Sequence, residues 1–472
     1  MTHDRLSPLD SWFLYFEDGT NHMHVASVAI FEGPAPTDEE LLAATAAKLP
    51  LIPRYRQKVR FVPLSMGRPV WVDDPAFDLT HHVRRVALPP PGGRAELARL
   101  MGVLMAQELD RRRPLWETWT VDGLEDGRWA VISKVHHCMV DGVSGVDLLG
   151  VMLDHQPEPS PPVPDDWHPA PEPSGWSLLV DAAGDLASQP LEQLRAVRAA
   201  LRRPGKVLAE TRALLGGLRT FAGELRPTPP TSLDGTIGPD RLWSWVDASL
   251  DEVRLVRHAL GGTVNDVVLA AIAGGFRHLA LSRGEDADAM VMRSLVPVSR
   301  RTEDARGILD NRVAAILFDL PVSAADPLDR LEIVREEMGR HKLSHEVEAS
   351  DAVTTGARFA PAVIMAGAMR GVAAFMRSPQ HAVNTVTTNV PGPQQPLWLC
   401  GRRMTDYLPY VPLAQGVRFG VAILSYDGRL AFGVTGDYDT APDVDVLCDG
   451  IQASMDELVG VAKATKQKTP AA

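Results

Sequence analysis

Cysteines, long apolar runs and surplus positive charge are scarce or absent in this sequence of 472 residues. Its three cysteines, Cys138, Cys400 and Cys448, lie far apart and offer neither a disulfide framework nor a thiolate metal site. With 48 Lys and Arg residues against 60 Asp and Glu residues, the formal net charge of -12 argues against binding to nucleic acid. No uncharged apolar run reaches the ~18 residues of a spanning helix, and no signal peptide is apparent. We therefore expect a cytoplasmic protein that does not cross a bilayer, although it can still lie on a membrane.

Two common catalytic motifs are missing as well. The chain has neither the G-x-S-x-G nucleophile elbow of the α/β-hydrolases nor a Walker P-loop for nucleotide phosphates. Its composition is otherwise ordinary, with 45% apolar and 23% charged residues, which allows a core of substantial size.

The length of the chain predicts more than one domain. Prolines recur between residues 156 and 176, which is typical of an extended, poorly packed linker. Leu191–Leu225 has mostly helical spacing and is followed by further prolines. We predict an N-terminal half at residues 1–155, a linker and helical connector at 156–235, and a C-terminal half at 236–472.

Both halves mix strand-like and helix-like patterns. The predicted strands are His24–Phe31, Trp129–Val135, Leu242–Val246, Val291–Val298, Val313–Leu320, Val417–Tyr426 and Leu430–Gly436. The predicted helices are Asp38–Lys48, Ser144–Leu153, Thr263–Ala280 and Asp326–Arg340. Thr37 and Asp326 are expected N-caps, and Asp427-Gly428 predicts a tight hairpin turn.

A histidine pair, His136 and His137, directly follows the predicted strand Trp129–Val135, and Asp141 and Gly142 come shortly after it. Adjacent side chains on an extended chain point to opposite faces, so one histidine should face a cleft while the other packs inward. A largely neutral imidazole can take a proton from an attacking alcohol at pH 7. A thioester is already activated, so acyl transfer from it needs no covalent enzyme intermediate. A histidine pair in this position therefore suits general-base catalysis, of which acyl transfer from a thioester to an alcohol is one example.

This segment also allows other interpretations. A single histidine in a half-apolar segment is usually structural, but a consecutive pair followed by Asp-Gly is less easily explained in that way. His137 and Asp141 are conceivable metal ligands, although no third ligand is evident nearby. Cys138 is a poor candidate nucleophile because it would point away from His137.

The segment His136-His137-x-x-x-Asp141-Gly142 resembles the motif of the condensation-type acyltransferases, which include chloramphenicol acetyltransferase and peptide-synthetase condensation domains. Six further segments narrow the resemblance to the bacterial wax ester synthase/acyl-CoA:diacylglycerol acyltransferase family. They occur in the expected order across almost the whole chain, at residues 6–10, 114–117, 263–268, 296–299, 311–313 and 388–393.

The resemblance implies an α/β (α+β) fold of two chloramphenicol-acetyltransferase-like domains with mixed sheets and an active-site tunnel at their interface. It implies that His137 is the general base and that His136 lies beside it in the catalytic motif. Asp141 would pair with an arginine and hold the loop in shape, and Gly142 would allow a tight turn.

Residues outside the histidine motif are also implicated by the resemblance. Asn265 and Asp266 match a second family signature and would shape the site from the other half, or else cap the helix that begins there. Pro114, Leu115 and Trp116 would line the domain interior or the tunnel wall. No cofactor and no metal are expected, with acyl-CoA as the co-substrate.

The family resemblance implies transfer of a long-chain acyl group to diacylglycerol, giving triacylglycerol, or to a long-chain alcohol, giving a wax ester. Two alternatives stay open: a specialised-metabolite or carrier-bound acceptor, and a catalytically weak protein of the lipid-droplet surface. Intact His137 and Asp141 disfavour the last. The basic pattern of Leu191–Leu225 predicts either peripheral contact with a membrane or lipid droplet, or a connector packed across the two halves.

Overall fold

The computed structural model describes residues 4–140, 150–182, 184, 228–299, 313–343 and 382–468. These residues form two mixed six-stranded sheets with helices packed against them. The main helices are α1 (Pro8–Phe16), α2 (Asp38–Lys48), α3 (Arg94–Met105), α4 (Leu250–Leu260), α5 (Val264–Ser282), α6 (Pro327–Leu343) and α7 (Val444–Lys468).

The N-terminal sheet has the strand order β12-β13-β1-β6-β5-β4. Its strands are β1 (His24–Phe31), β4 (Val83–Ala87), β5 (Trp116–Asp122), β6 (Trp129–His136), β12 (Trp398–Leu399) and β13 (Arg402–Tyr410). β4 and β5 are parallel, and the other neighbours are antiparallel. β12 and β13 come from the C-terminal half of the chain, so this half contributes two strands to the N-terminal sheet, and the apolar clusters that pack on that sheet contain residues of both halves. The predicted boundaries at residues 155 and 235 remain predictions.

The C-terminal sheet has the order β10-β9-β11-β15-β16-β8. Its strands are β8 (Arg241–Ser249), β9 (Met292–Ser299), β10 (Val313–Leu320), β11 (Thr385–Val390), β15 (Phe419–Tyr426) and β16 (Arg429–Asp437). β11 runs parallel to both of its neighbours, and the remaining pairs are antiparallel. Two short antiparallel pairs complete the strands, β2 (Gln57–Arg60) with β3 (Val70–Asp73) and β7 (Asp234–Gly235) with β14 (Gly416–Val417).

Helix α5 forms the centre of the C-terminal core. Every residue from Val267 to Ala273 has a relative exposure of 0%. The helix approaches α7 so closely that a Cβ on Gly275 would lie 2.5 Å from Ile451 Cγ1, which explains the absence of a side chain there. Among the described residues α5 is long and apolar enough to cross a membrane, but most of it is buried inside the fold. Its apolar composition is therefore accounted for by the core.

Several predicted elements are confirmed to the residue or nearly so. α2, β1 and β10 have the predicted ends, and β6 extends one residue further, to His136. Thr37 and Asp326 accept hydrogen bonds from first-turn N–H groups at 3.2 Å and 2.8 Å, as expected of N-caps. Asp427 and Gly428 have φ values of 43° and 79° in the two-residue turn between β15 and β16.

One prediction about local structure needs correction. The single strand predicted at Val417–Tyr426 is split, because Val417 pairs with β7 whereas β15 pairs with β11 and β16. The proline-rich segment contains no helix or strand from residue 156 to 174 and is exposed at most of these positions, as expected of an extended linker. Arg56 donates two hydrogen bonds to Asp165, at 2.8 Å and 2.5 Å, and lies over the ring of Trp167. These contacts tie the segment to the N-terminal half.

Candidate active site

The histidine pair stands at the end of β6, where the chain leaves the sheet. His136 is the last residue of the strand and is 1% exposed, whereas His137 begins a 3-10 turn, His137–Met139, and is half-buried. His136 is the N-cap of this turn, since its Nδ1 accepts a hydrogen bond of 3.1 Å from the N–H of Cys138. One histidine thus packs inward while the other begins a turn away from the strand.

Backbone hydrogen bonds from both neighbouring segments fix the position of the pair. The N–H of His136 donates to Leu115 O at 2.9 Å, and the N–H of His137 donates to Met23 O at 2.8 Å. Leu115 directly precedes β5, and Met23 directly precedes β1, so both acceptors lie at the starts of the strands that flank β6. The sheet therefore determines where the turn begins.

The ring of His137 lies in a largely apolar environment. It stacks on the ring of Phe13, with 3.8 Å between the centroids and 22° between the planes. Its Nδ1 is buried without a hydrogen-bond partner among the described residues. Burial lowers the pKa of His137 to about 4, because a charged imidazolium is poorly solvated there. The ring is consequently neutral at pH 7.

A carboxylate and a further histidine complete this cluster, and the sequence analysis did not single them out. His24 on β1 is the cross-strand partner of His136. Glu17, which caps the C-terminal end of α1, lies with Oε1 3.2 Å from His24 Nε2 and with Oε2 3.4 Å from His136 Nε2. Arg111 also pairs with Glu17. The sequence signal was weak, since Glu17 belongs to none of the segments that carry the family resemblance.

The pKa values of the cluster reflect its burial. Burial by itself would raise the pKa of Glu17, but the contacts with His136 and His24 outweigh it and hold that pKa well below its ordinary range. Burial lowers the pKa of His24 to about 3. The cluster thus contains an ionised carboxylate that faces the neutral ring of His24.

Pro114, Leu115 and Trp116 support the histidine pair from the interior of the N-terminal half. Leu115 and Trp116 are 0% and 2% exposed. The indole N–H of Trp116 donates to Tyr55 O at 2.9 Å, and its ring stacks on the Tyr55 ring. Through its carbonyl, Leu115 also holds the backbone of His136. The arrangement agrees with an interior position for this segment.

Asn265 and Asp266 lie at the start of α5, in the C-terminal half. Asp266 forms a capping box with Thr263, whose N–H donates to Asp266 Oδ2 at 2.8 Å and whose Oγ1 accepts from the N–H of Asp266 at 3.2 Å. The helix-cap interpretation therefore accounts for Asp266. Asn265 Oδ1 accepts a hydrogen bond of 3.3 Å from Asn389 of β11, which joins two of the segments that carry the family resemblance. A site-shaping role for either residue remains a prediction.

Asp141 and Gly142 lie outside the described residues, so their predicted roles are not addressed by the structure. Within the described ranges, no three His, Cys, Asp or Glu side chains are grouped as a metal ion would require.

The segment between α1 and β1 connects the histidine cluster to the C-terminal half. The Arg241 guanidinium donates to Thr20 O, and the Gln415 side chain donates to Thr20 Oγ1 at 2.6 Å. Ala414 packs against the apolar pair Phe16 and Met23. The histidine pair therefore lies beside a contact between the two halves of the chain.

The fold is that of the condensation domains. The structure superimposes on the first condensation domain of the CDA synthetase with a TM-score of 0.55, over 97% of this chain and 96% of that chain, at 15% identity. This similarity establishes the architecture of two joined halves with mixed sheets.

Two further comparisons establish the family. The wax ester synthase/diacylglycerol acyltransferase of Marinobacter aquaeolei VT8 matches with a TM-score of 0.67 and 26% identity, over 97% of this chain and 100% of that chain. The probable diacylglycerol O-acyltransferase Tgs1 of Mycobacterium tuberculosis H37Rv is 38% identical over 465 residues, covering 98% of this chain and 97% of that protein.

The sequence models of the family give the same assignment. Residues 6–268 match the wax ester synthase/diacylglycerol acyltransferase catalytic domain, and residues 309–459 match the WS/DGAT C-terminal domain. The chain belongs to the wax ester synthase/diacylglycerol acyltransferase family and is an acyltransferase.

Proposed function

We propose that the protein transfers a long-chain acyl group from acyl-CoA to a lipid alcohol, with diacylglycerol as the principal acceptor and His137 as the general base. The observation that carries the proposal is the neutral, half-buried ring of His137 at the end of β6, beside the contact between the halves. The end-to-end similarity to Tgs1 supports diacylglycerol as the acceptor.

The reaction proposed for His137 needs no covalent intermediate. Its Nδ1 is buried, which leaves Nε2 to take the hydroxyl proton as the alcohol oxygen attacks the thioester carbonyl. A C–O bond forms, the C–S bond then breaks, and the proton passes from Nε2 to the departing CoA thiolate. Because burial keeps the pKa of His137 at about 4, the ring is always available as a base at pH 7 and readily gives the proton back. The products are an ester and free CoA.

The acceptor is tested by incubating the protein with palmitoyl-CoA and four alcohols: diacylglycerol, monoacylglycerol, hexadecanol and a short polar alcohol. Mass analysis of the esters should show triacylglycerol as the main product, with wax ester from hexadecanol as a second product. Esters of the polar alcohol alone would favour a specialised-metabolite acceptor. No ester from any alcohol would favour a protein of the lipid-droplet surface.

We also propose that the reaction requires neither a metal nor a cofactor besides the co-substrate acyl-CoA. Dialysis against a chelator should leave the rate of ester formation unchanged, because a histidine rather than a metal-bound water supplies the base. Loss of activity that Zn²⁺ restores would contradict this expectation.

Contact with a membrane or lipid droplet is proposed through the basic segment Leu191–Leu225, which lies outside the described residues. Its arginines would attract anionic head groups, and this attraction should weaken with salt. The triple charge reversal Arg195→Glu, Arg198→Glu and Arg202→Glu should reduce cosedimentation with anionic vesicles at low salt while turnover of a soluble alcohol persists. Equal vesicle binding by the two proteins would assign the segment to packing between the halves.

A further inference from the structure

The carboxylate of Glu17 faces nitrogen atoms on every side that the structure describes. Oε1 lies 3.2 Å from His24 Nε2 and accepts a hydrogen bond of 3.3 Å from the N–H of Met23. Oε2 lies 3.4 Å from His136 Nε2 and also pairs with Arg111. The side chain of Glu17 is only 6% exposed, so water does little to satisfy these oxygens.

The hydrogen bond that the ring of His136 accepts determines which of its nitrogens carries the proton. Nδ1 accepts the N–H of Cys138, so in the neutral ring the proton must be on Nε2. Nε2 is the atom that faces Glu17. If the proton were on Nδ1, the ring N–H would point at the N–H of Cys138. Nε2 would then be an acceptor that faces the carboxylate, which is also an acceptor.

This proton position matters for His137 because the ring of His136 caps the turn in which His137 stands. Glu17 acts on the turn from the other side as well. The N–H of Met23 donates to Glu17, and the carbonyl of Met23 accepts the N–H of His137. One carboxylate thus contacts both the side chain and the backbone segment that hold His137 in place.

We propose that Glu17 is a positioning residue: its carboxylate keeps the proton of His136 on Nε2, and His136 thereby holds the turn that presents His137 to substrate. The proposal rests on His137 being the base. Glu17 itself does not contact the reacting atoms. A pairing role with Arg111 alone is the competing explanation.

The two explanations predict different effects of graded substitutions at Glu17. Glu17→Met removes both carboxylate oxygens at similar length, so His136 Nε2–H loses the oxygen that lies 3.4 Å from it. In Glu17→Gln the amide oxygen can still face His136 as an acceptor. The new amide N–H then faces His24, whose Nε2 can accept it if the proton of that ring moves to Nδ1, which has no hydrogen-bond partner. If Glu17 served only to neutralise Arg111, both substitutions would have the same effect, because both remove the charge.

A matched control is available at Asp154, which is also a buried carboxylate with a cation and a backbone partner. Its Oδ1 accepts hydrogen bonds from Lys48 Nζ at 2.8 Å and from the N–H of Ser160 at 3.2 Å. It has no contact with the histidine cluster in the structure. Asp154→Leu and Asp154→Asn should therefore lower the melting temperature and leave kcat close to its wild-type value.

The experiment measures kcat and KM for palmitoyl-CoA, the melting temperature and the ¹⁵N spectrum of the histidine rings for each variant. Glu17→Met should lower kcat about 10²-fold with little change in KM, because small displacements of a catalytic group have effects of this size. Glu17→Gln should lower kcat less, with the proton of His136 still on Nε2 and that of His24 on Nδ1.

Equal losses of kcat in the two Glu17 variants, or a wild-type kcat in Glu17→Met, would overturn the proposal. So would a Glu17→Met spectrum in which His136 is unchanged. If Glu17→Met does not fold, the ring spectrum and the turnover of Glu17→Gln decide the question. A proton on His136 Nδ1 together with full turnover in that variant would overturn the proposal. The ring spectra do not depend on turnover, so this proposal and that for His137 can fail separately.

Discussion

The buried region around His136 and the buried region around α5 are built from different kinds of side chain. On the N-terminal sheet, His24, Lys134 and His136 are each 1% exposed, and Glu17 lies among them. The Lys134 ammonium group donates hydrogen bonds to the carbonyl of Leu104, near the end of α3, and to the carbonyl of Gln107, which follows the helix.

Around α5, by contrast, the C-terminal core is a continuous apolar cluster formed with the sheet, α4, α6 and α7.

The contrast indicates a division of roles between the two regions. Burying titratable groups costs desolvation free energy that hydrogen bonds and ion pairs only partly recover. Apolar burial stabilises by about 25 cal/mol per Å² and depends little on pH. We infer that the histidine region is shaped for chemistry, whereas the α5 region supplies stability to the fold that holds it.

The largest effect is expected from removing the base. His137→Ala should lower turnover by ~10²–10⁴-fold, the usual range for loss of a general base, with little change in melting temperature. His81→Ala is the matched control, because His81 also belongs to a histidine pair but is exposed and lies at the edge of the N-terminal sheet. Near-wild-type turnover of His137→Ala would remove this residue from the mechanism.

A substitution in the α5 region should lower the stability of the protein and leave its turnover unchanged. Phe276 is 0% exposed and packs edge-to-face on Phe419 at 6.3 Å between centroids. Phe276→Ala should lower the free energy of unfolding by ~3–5 kcal/mol through lost burial and the resulting cavity. Denaturant titration measures this, and kcat of the remaining folded protein should be retained. A large loss of kcat at unchanged stability would show that the regions are not separable in this way.

Acid should destabilise the histidine region before the apolar one. Burial lowers the pKa of His24 to about 3 and that of His137 to about 4, from an ordinary value of 6.5. Such groups contribute stability that is complete above the unfolded pKa and is lost as the pH falls toward the folded pKa. The melting temperature should therefore fall between about pH 6.5 and about pH 4.

The measurement is a series of thermal melts across that range, with His81→Ala as a control that should follow the wild-type curve. A melting temperature that stays constant down to pH 4 would mean that these imidazoles are not shielded from water as the structure indicates.

The smallest effect is expected from substituting Asn265, which joins two of the segments that carry the family resemblance. Asn265→Ala removes a single hydrogen bond of 3.3 Å to Asn389, which is worth about 1 kcal/mol or less in stability. Thermal melts measure the change in stability, and competition assays with diacylglycerol and hexadecanol measure the acceptor preference. A changed acceptor preference at nearly constant stability would support the predicted site-shaping role, and an unchanged preference would leave Asn265 as a structural contact.

Local sequence patterns were sufficient for elements whose causes lie within a few residues. The N-caps Thr37 and Asp326 and the Asp427-Gly428 turn were predicted because each depends on nearby backbone groups. Helix α5 was predicted at Thr263–Ala280, and the structure confirms it at Val264–Ser282. The family assignment likewise depended on short segments in order along the chain, and the comparisons confirm it.

The surroundings of the histidine pair were not predictable in the same way. That His24 pairs with His136, and that Glu17 lies between them, depends on the register of β1 against β6 and on the position of α1. The insertion of β13 from the C-terminal half beside β1 is also a matter of long-range pairing.

By itself the sequence determined strands such as β1, β6 and β10, the N-caps and the histidine motif, because local propensity and periodicity act over a few residues. Only the tertiary structure decided which buried groups meet around His136, because desolvation, strand register and contacts between distant segments act together there.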